Sequence, residues 1–295
     1  MKWVVCREAM VMIVSEGPAG GRRAASRTAL GVATLRAAHQ ILDGEPKLLL
    51  DPIAMRLLGS EAGEDMRLNP QPYAGTRMRQ LRTQVLVRSR YSEDRLEAAA
   101  ARGVTQCIVL GAGYDTFAYR QPNWARGLTI YEIDHPASHA AKLARLAAAD
   151  VKVPENVHFV PLDFEVTALA DGLRKAGIDN TKPAFFSWLG VMVYLTQPAV
   201  DAVFATIATF PKGSEIVFTF SSRARNTLTT RRMAAGGEPW LTHMLPNVLA
   251  KQLYGHGFSR VEFLRPAAMR ALYVPTPRTD SLLAPARTAI ASATV

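Results

Sequence analysis

The sequence predicts an α/β fold: a mostly parallel sheet with helices on both faces, preceded by a helical cap. Three observations carry that expectation. Short apolar runs alternate with helical stretches from Gln106 to Phe263, and such alternation builds parallel sheets covered on both sides. The first run ends in Gly111-Ala112-Gly113, where glycine lets backbone turn sharply and lets a ligand lie close. Carboxylates then close the next two runs, at Asp134 and Asp163.

Residues 1–25 read as a flexible lead. MKWVVCREAMVMIV is apolar but is broken by Arg7 and Glu8, so it lacks the uninterrupted apolar stretch of a signal peptide. Nothing elsewhere approaches the ~18 apolar residues of a membrane span, and a cytoplasmic location is the expectation. Residues 26–104 form the cap. Thr28–Leu42 is apolar at helical spacing and stops at Asp43-Gly44. Asp51–Leu58 starts a second helix with Asp51 as N-cap and Pro52 in the first turn. Thr76–Arg102 is one long helix ending before Gly103.

The α/β domain is expected over 105–280. Its strands are Gln106–Leu110, Leu128–Ile133, His158–Pro161, Ala184–Trp188, Glu215–Phe220 and Arg260–Phe263, each a short apolar run flanked by Gly, Pro or Asp. A helix is expected from about Asp115 onward, and others over Pro136–Ala149, Val166–Ala176, Pro198–Thr209 and Pro246–His256. Arg223–Leu245 is too long for an ordinary connection and reads as a lid over a site. A last strand is placed near Leu272–Val274, and 281–295 is taken as a C-terminal tail.

Composition sets the limits. A chain of 295 residues that is 48% hydrophobic can bury a sizeable core. Cys6 and Cys107 lie far apart, which suggests no disulfide framework and fits a reducing compartment. The formal net charge is +10 and the pI about 9.9. An arginine- and alanine-rich coding bias accounts for it, or it is a field that attracts an anion. Positive charge is densest in Thr76–Tyr91, with Arg77, Arg79, Arg82, Arg88 and Arg90 and no acid.

The candidate site follows from these elements. In the dinucleotide pattern G-x-G-x-x-G the third glycine position is Thr116, which argues against a nicotinamide dinucleotide. Asp134 stands 23 residues after Gly111, where a carboxylate can accept from both hydroxyls of a ribose. Glu132 competes, on the same strand face but one pleat deeper. Asp163 can accept from an adenine amino group with Phe164 against the ring, or it can cap the next helix. His135 and His139 are spaced for a metal, but no third ligand accompanies them, so no metal is expected. No Ser-His-Asp set and no Cys-x-x-Cys is present.

The ordered set VLGAGYDTFAYR, YEIDHP, VPLDF and SWLGVMVYLT (residues 109–120, 131–136, 160–164 and 187–196) resembles the leucine carboxyl methyltransferase family, in its bacterial, mycobacterial-type branch. TALGVATLRAAHQIL, RSRYSEDRL and GEPW add to the likeness, which covers roughly 27–280. The resemblance implies a class I, Rossmann-like methyltransferase fold and S-adenosylmethionine as cofactor. It implies that Arg88 pairs with the cofactor's carboxylate and that Gly111 and Gly113 line its methionine part. Asp134 would then hold the ribose, and Asp163 and Phe164 would meet the adenine. Arg36, Arg90 and Tyr194 are implied as substrate contacts, Tyr194 being the one catalytic candidate. Leu189 stands where eukaryotic members have a glutamate, which removes a ligand contact there. The expected activity is O-methylation of a carboxylate or hydroxyl on a small anionic molecule. Two rivals are a nucleic-acid methyltransferase, motivated by charge, and a non-catalytic binder of the cofactor. No aromatic-interleaved basic platform supports the first, and no membrane partner is expected.

Overall fold

In the cap, Arg27–Leu42 forms α1 and Pro52–Leu58 forms α2, the latter capped as expected by the Asp51 carboxylate accepting from Ala54 N at 3.0 Å. Ser60–Leu68 (α3) and Gln71–Ala74 (α4) follow, neither of them expected from the sequence. The long helix α5 runs over Thr76–Ala101. The computed structural model describes residues 27–164, 166–222, 234, 239–274, 282–286 and 288–295. The expected lead 1–25, and residues 223–233 and 235–238 of the expected lid, lie outside the described residues.

The sheet-forming part begins with β1 (Gln106–Leu110), buried throughout. It continues through β2 (Thr129–Asp134), α6 (Pro136–Ala148), β3 (Val157–Pro161), α7 (Leu169–Lys175) and β4 (Ala184–Trp188). Then come α8 (Gln197–Ile207), β5 (Glu215–Thr219), α9 (Pro246–His256), β6 (Arg260–Phe263), α10 (Pro266–Tyr273) and β7 (Ile290–Thr294). The seven strands are ordered β3-β2-β1-β4-β5-β7-β6. Pairs β1–β2, β2–β3, β1–β4 and β4–β5 are parallel, and β7 is antiparallel to both β5 and β6. This is the mostly parallel sheet that the alternation of elements implied.

The central strands are buried on both faces. Ile108, Leu110, Phe186, Trp188 and Phe218 pack beneath α8 and α9, with Phe204 and Leu249 supplied by those helices. Cys107, Val109, Phe185 and Val217 point to the opposite face, where α5 brings Val87, Tyr91 and Leu96. The cap is joined to this body through Ala33, Ile53 and Leu57, which pack with Tyr114 and with Leu146 of α6.

Three expectations are corrected. No long helix follows the glycine turn; only single 3-10 turns form, at Phe117–Tyr119 and Asn123–Ala125. The Asp115 side chain accepts from Phe117 N at 2.9 Å, and Pro122 cannot donate to a continuing helix. The strand expected near 272–274 is the end of α10. The segment 281–295, expected as a tail, instead supplies β7, inserted between β5 and β6. Its sequence IASAT is mostly small residues, which carry little apolar periodicity. It is buried because it lies between two strands, and Tyr91 OH meets Ser292 Oγ at 3.1 Å.

Candidate functional site

Strand order reverses between β1 and β4, since β2 and β3 lie to one side and β5 to the other. In open α/β sheets ligands bind outside the carboxyl ends of the strands at such a switch point. Gly111 and Gly113 follow β1 there, and Asp134 ends the neighbouring β2. Gly111 follows β1 with φ +67°, and a Cβ at this position would overlap the Val191 side chain. Gly113 has φ +46°. The N–H groups of Gly111 and Ala112 both donate to Ile133 O, at 2.8 and 3.1 Å, folding the turn back onto β2.

Asp134, at the tip of β2, is half-buried and closes that turn. One carboxylate oxygen accepts from Gly113 N and the other from His135 N at 2.7 Å. Each oxygen keeps a lone pair for a further donor. Glu132, its competitor, is fully buried. It accepts from Lys142 Nζ at 2.7 Å and from Tyr119 OH at 2.8 Å. Burial is the main influence on Glu132 and raises its pKa against the pull of Lys142. A carboxylate so enclosed supports the core, so the strand-tip acid is the one available to a ligand.

Asp163 follows β3 and is half-buried, with its carboxylate 3.8 Å from His135 Nε2. It does not cap α7, whose N-cap is Ala168. Its main-chain carbonyl accepts from Val166 and Thr167. Phe164 packs at the edge of the apolar cluster beneath α8. His135 accepts from Ala137 N at 3.2 Å as the N-cap of α6. Among the described residues no cluster of His, Cys, Asp and Glu has the arrangement of a metal site.

Arg88, on α5, reaches over the loop after β4. Its guanidinium lies against Gly190, where a Cβ would sit 2.9 Å from Nη1; Gly190 has φ +77°. The Arg88 Nε is buried without a hydrogen-bond partner. No carboxylate among the described residues lies within ion-pair distance of it. Burial, then repulsion from Arg36, brings its pKa down to about 10, while Tyr194 and Asp115 act the other way. Tyr194 is half-buried in the 3-10 turn Met192–Tyr194 that follows Gly190. This leaves an unmatched guanidinium at the switch point.

Two of the expected contacts have partners within the chain. Arg36 Nε lies 2.9 Å from Asp51 Oδ2 as an ion pair, without hydrogen-bond alignment, and its Nη2 donates to Tyr114 O, fastening α1 to the glycine turn. Arg90 is 48% exposed and donates to Asp94 at 2.7 Å. Residues two apart on a helix are rotated by about 200°, so Arg88 and Arg90 cannot both face the site. Sequence reasoning also missed Gly190, although the signal, a glycine ending a buried strand, is the one used at Gly111. It missed the second role of Asp51, which accepts from Thr116 Oγ1 at 2.7 Å and lies 3.7 Å from Arg120. The threonine in the third glycine position is therefore a link to the cap.

Three arginines of α5 have acidic partners: Arg82 holds Asp43 with two bonds of 2.7 Å, Arg90 meets Asp94 and Arg95 meets Glu215. Among the described residues no helix is long and apolar enough to cross a membrane.

With this geometry in view, the comparisons with known proteins agree. Residues 29–208 match the sequence profile "Leucine carboxyl methyltransferase". YktD of Bacillus subtilis, named as an S-adenosyl-L-methionine-dependent methyltransferase, is 34% identical over 215 residues, covering 70% of each chain. A Mycolicibacterium paratuberculosis protein named for the same activity is 31% identical over 221 residues, covering 70% of this chain and 72% of its own. A Thermobifida fusca crystal structure, of a protein named as a methyltransferase, superposes with a TM-score of 0.54 at 18% identity. It covers 89% of this chain and 93% of the other, a likeness of fold.

Proposed function

This chain belongs to the leucine carboxyl methyltransferase family, and from that premise we propose that it methylates a carboxylate of a small anionic molecule. The coarser activity, S-adenosylmethionine-dependent methyl transfer, comes with the family. The observation that carries the site is Arg88: a guanidinium with a buried, partnerless Nε beside Gly190, across the switch point from Asp134. A planar fork of donors matches a carboxylate with two parallel bonds, which suits the amino-acid end of S-adenosylmethionine. Asp134 would take the ribose hydroxyls, Gly111 and Gly113 would leave room for the methionine part, and Asp163 with Phe164 would border the adenine.

S-adenosylmethionine supplies, when bound, a methyl carbon made electrophilic by its sulfonium. The protein's own task is to orient the acceptor in line with that carbon and keep water out. An acceptor carboxylate is already ionised at neutral pH, so no side chain has to remove a proton. That simplicity supports a carboxylate over an alcohol as acceptor. Arg82, Arg90 and Arg95 of α5 are paired with acids and give no support to a nucleic-acid acceptor. The test is transfer of labelled methyl to a panel of small carboxylic acids and their matched alcohols. Base-labile methyl ester from the acids is expected; label found only on alcohols, or only on RNA, overturns the reading.

A further inference from the structure

The segment Trp240–Met244 crosses the carboxyl ends of β4 and β5. Leu241 N and Thr242 N donate to Val193 O at 2.7 and 3.3 Å, Thr242 Oγ1 donates to Leu195 O, and Met244 N donates to Ser221 O at 2.8 Å. These bonds fix it beside the loop that carries Tyr194. The ends of β4 and β5 are tied to each other, since Gly190 N donates to Thr219 Oγ1 at 2.6 Å. The segment is thus on the same rim as Gly111, Asp134 and Gly190.

Within it, two side chains hold polar atoms that have no partner among the described residues. Trp240 Nε1 and both ring nitrogens of His243 are buried with no hydrogen-bond partner. The two ring centroids are 6.4 Å apart, with the planes tilted by 43°. A buried donor left unmade is costly, and the indole N–H of Trp240 and the imidazole N–H of His243, three residues apart on one rim segment, point to a missing acceptor. His139 and Trp188 also carry orphan nitrogens. These are buried residues of the core, His139 edge-on to Phe159 and Trp188 edge-on to Phe204.

Position says which partner this is. If Asp134 takes the ribose and Arg88 the amino-acid carboxylate, the cofactor lies over β2, β1 and β4. The side left open to an acceptor is then that of β4 and β5, under Trp240 and His243. We infer that Trp240 and His243 grip the methyl acceptor, their N–H groups donating to one oxygen of its carboxylate while the other oxygen is left to react. The indole face suits an apolar or aromatic body, and Leu241 and Leu245 are exposed alongside. The acceptor class is therefore an aromatic or apolar monocarboxylate. This inference rests on the methyltransferase reading and adds to it the residues that select the acceptor.

The test uses the full chain labelled with 15N at tryptophan and histidine, saturated with S-adenosylhomocysteine, and titrated with benzoate and with benzyl alcohol. Trp240→Phe and His243→Gln assign the two signals. Benzoate is expected to shift the Trp240 indole and His243 imidazole signals together along one saturating curve, and benzyl alcohol at equal concentration is not. His243→Gln is expected to weaken benzoate about tenfold as read at Trp240, with S-adenosylhomocysteine affinity unchanged. If benzoate moves neither signal, or if S-adenosylhomocysteine alone accounts for the full shift, the acceptor grip is overturned while the cofactor reading stands. Failure to bind S-adenosylhomocysteine at all overturns both.

Discussion

The guanidinium of Arg88 rests on Gly190, so closely that a single added methyl at position 190 would lie 2.9 Å from its Nη1. The two residues come from α5 and from the loop after β4, 102 positions apart, and each explains the other. Gly190 leaves the space that Arg88 fills, and its left-handed backbone is one that side-chain-bearing residues enter at a cost of about 1–2 kcal/mol. Gly190→Ala is therefore expected to displace Arg88 and to weaken S-adenosylhomocysteine binding about tenfold or more, with a modest loss of stability. Titration calorimetry reads the first and thermal unfolding the second. Unchanged affinity would mean that Arg88 is not a cofactor contact.

Arg88→Lys keeps the charge and loses the fork. Cofactor affinity is expected to fall about tenfold, because one point charge cannot make two parallel bonds. Arg90→Lys, at an exposed position paired with Asp94, is expected to be silent. Equal effects at the two positions in the same titration would contradict the placement of Arg88.

The two acids of β2 should separate cleanly. Asp134→Ala removes an acceptor at the strand tip and is expected to weaken cofactor binding about tenfold. It also frees the N–H groups of Gly113 and His135, so a small drop in melting temperature accompanies it. Glu132→Ala leaves Lys142 charged and enclosed, with both side chains fully buried. Breaking such a pair costs about 3–5 kcal/mol, so the melting temperature should fall on the order of 10 °C. A variant of Glu132 that stays stable but loses the cofactor would reverse the assignment.

Acid should loosen the cap. Burial alone would raise the pKa of Asp43, but the bonds from His39 and Arg82 outweigh it and hold the carboxyl below its ordinary 3.8. Asp51 is likewise lowered: burial opposes, and Arg36 and Arg120 prevail. For a lowered carboxyl the unfolded chain binds more protons, so the stability it contributes is present above the unfolded value and is lost as pH falls through the folded one. Glu132 and Glu93, raised mainly by burial, act oppositely and lose their contribution as pH climbs above the unfolded glutamate value. Urea unfolding from about pH 3 to pH 7 should show Asp43→Asn less stable than wild type at neutral pH and flatter on the acid side. A variant curve parallel to wild type would show that Asp43 is not part of the acid response.

Much of the fold was legible because its signals are local. Strands β1, β4 and β6 and helix α9 fall where apolar runs bounded by Gly, Pro and Asp put them. The glycine turn and the carboxylates at two strand tips were visible for the same reason, since each needs one residue type at one place along a strand. The rotation between Arg88 and Arg90 was legible too, in the helical period, but a shared motif pattern obscured it.

What the sequence by itself determined is the succession of strands and helices, the turn after β1 and the acids that border it, all set by backbone preference and apolar spacing within a few residues. Only the tertiary structure decided which charges are spent and which remain. Arg36 finds Asp51, Arg82 finds Asp43 and Arg95 finds Glu215, whereas Arg88 is left facing the switch point. It also placed IASAT as a central strand between β5 and β6. The physical reason is the same in both cases: burial and charge pairing depend on which neighbours the folded chain supplies, and those neighbours lie far away in sequence.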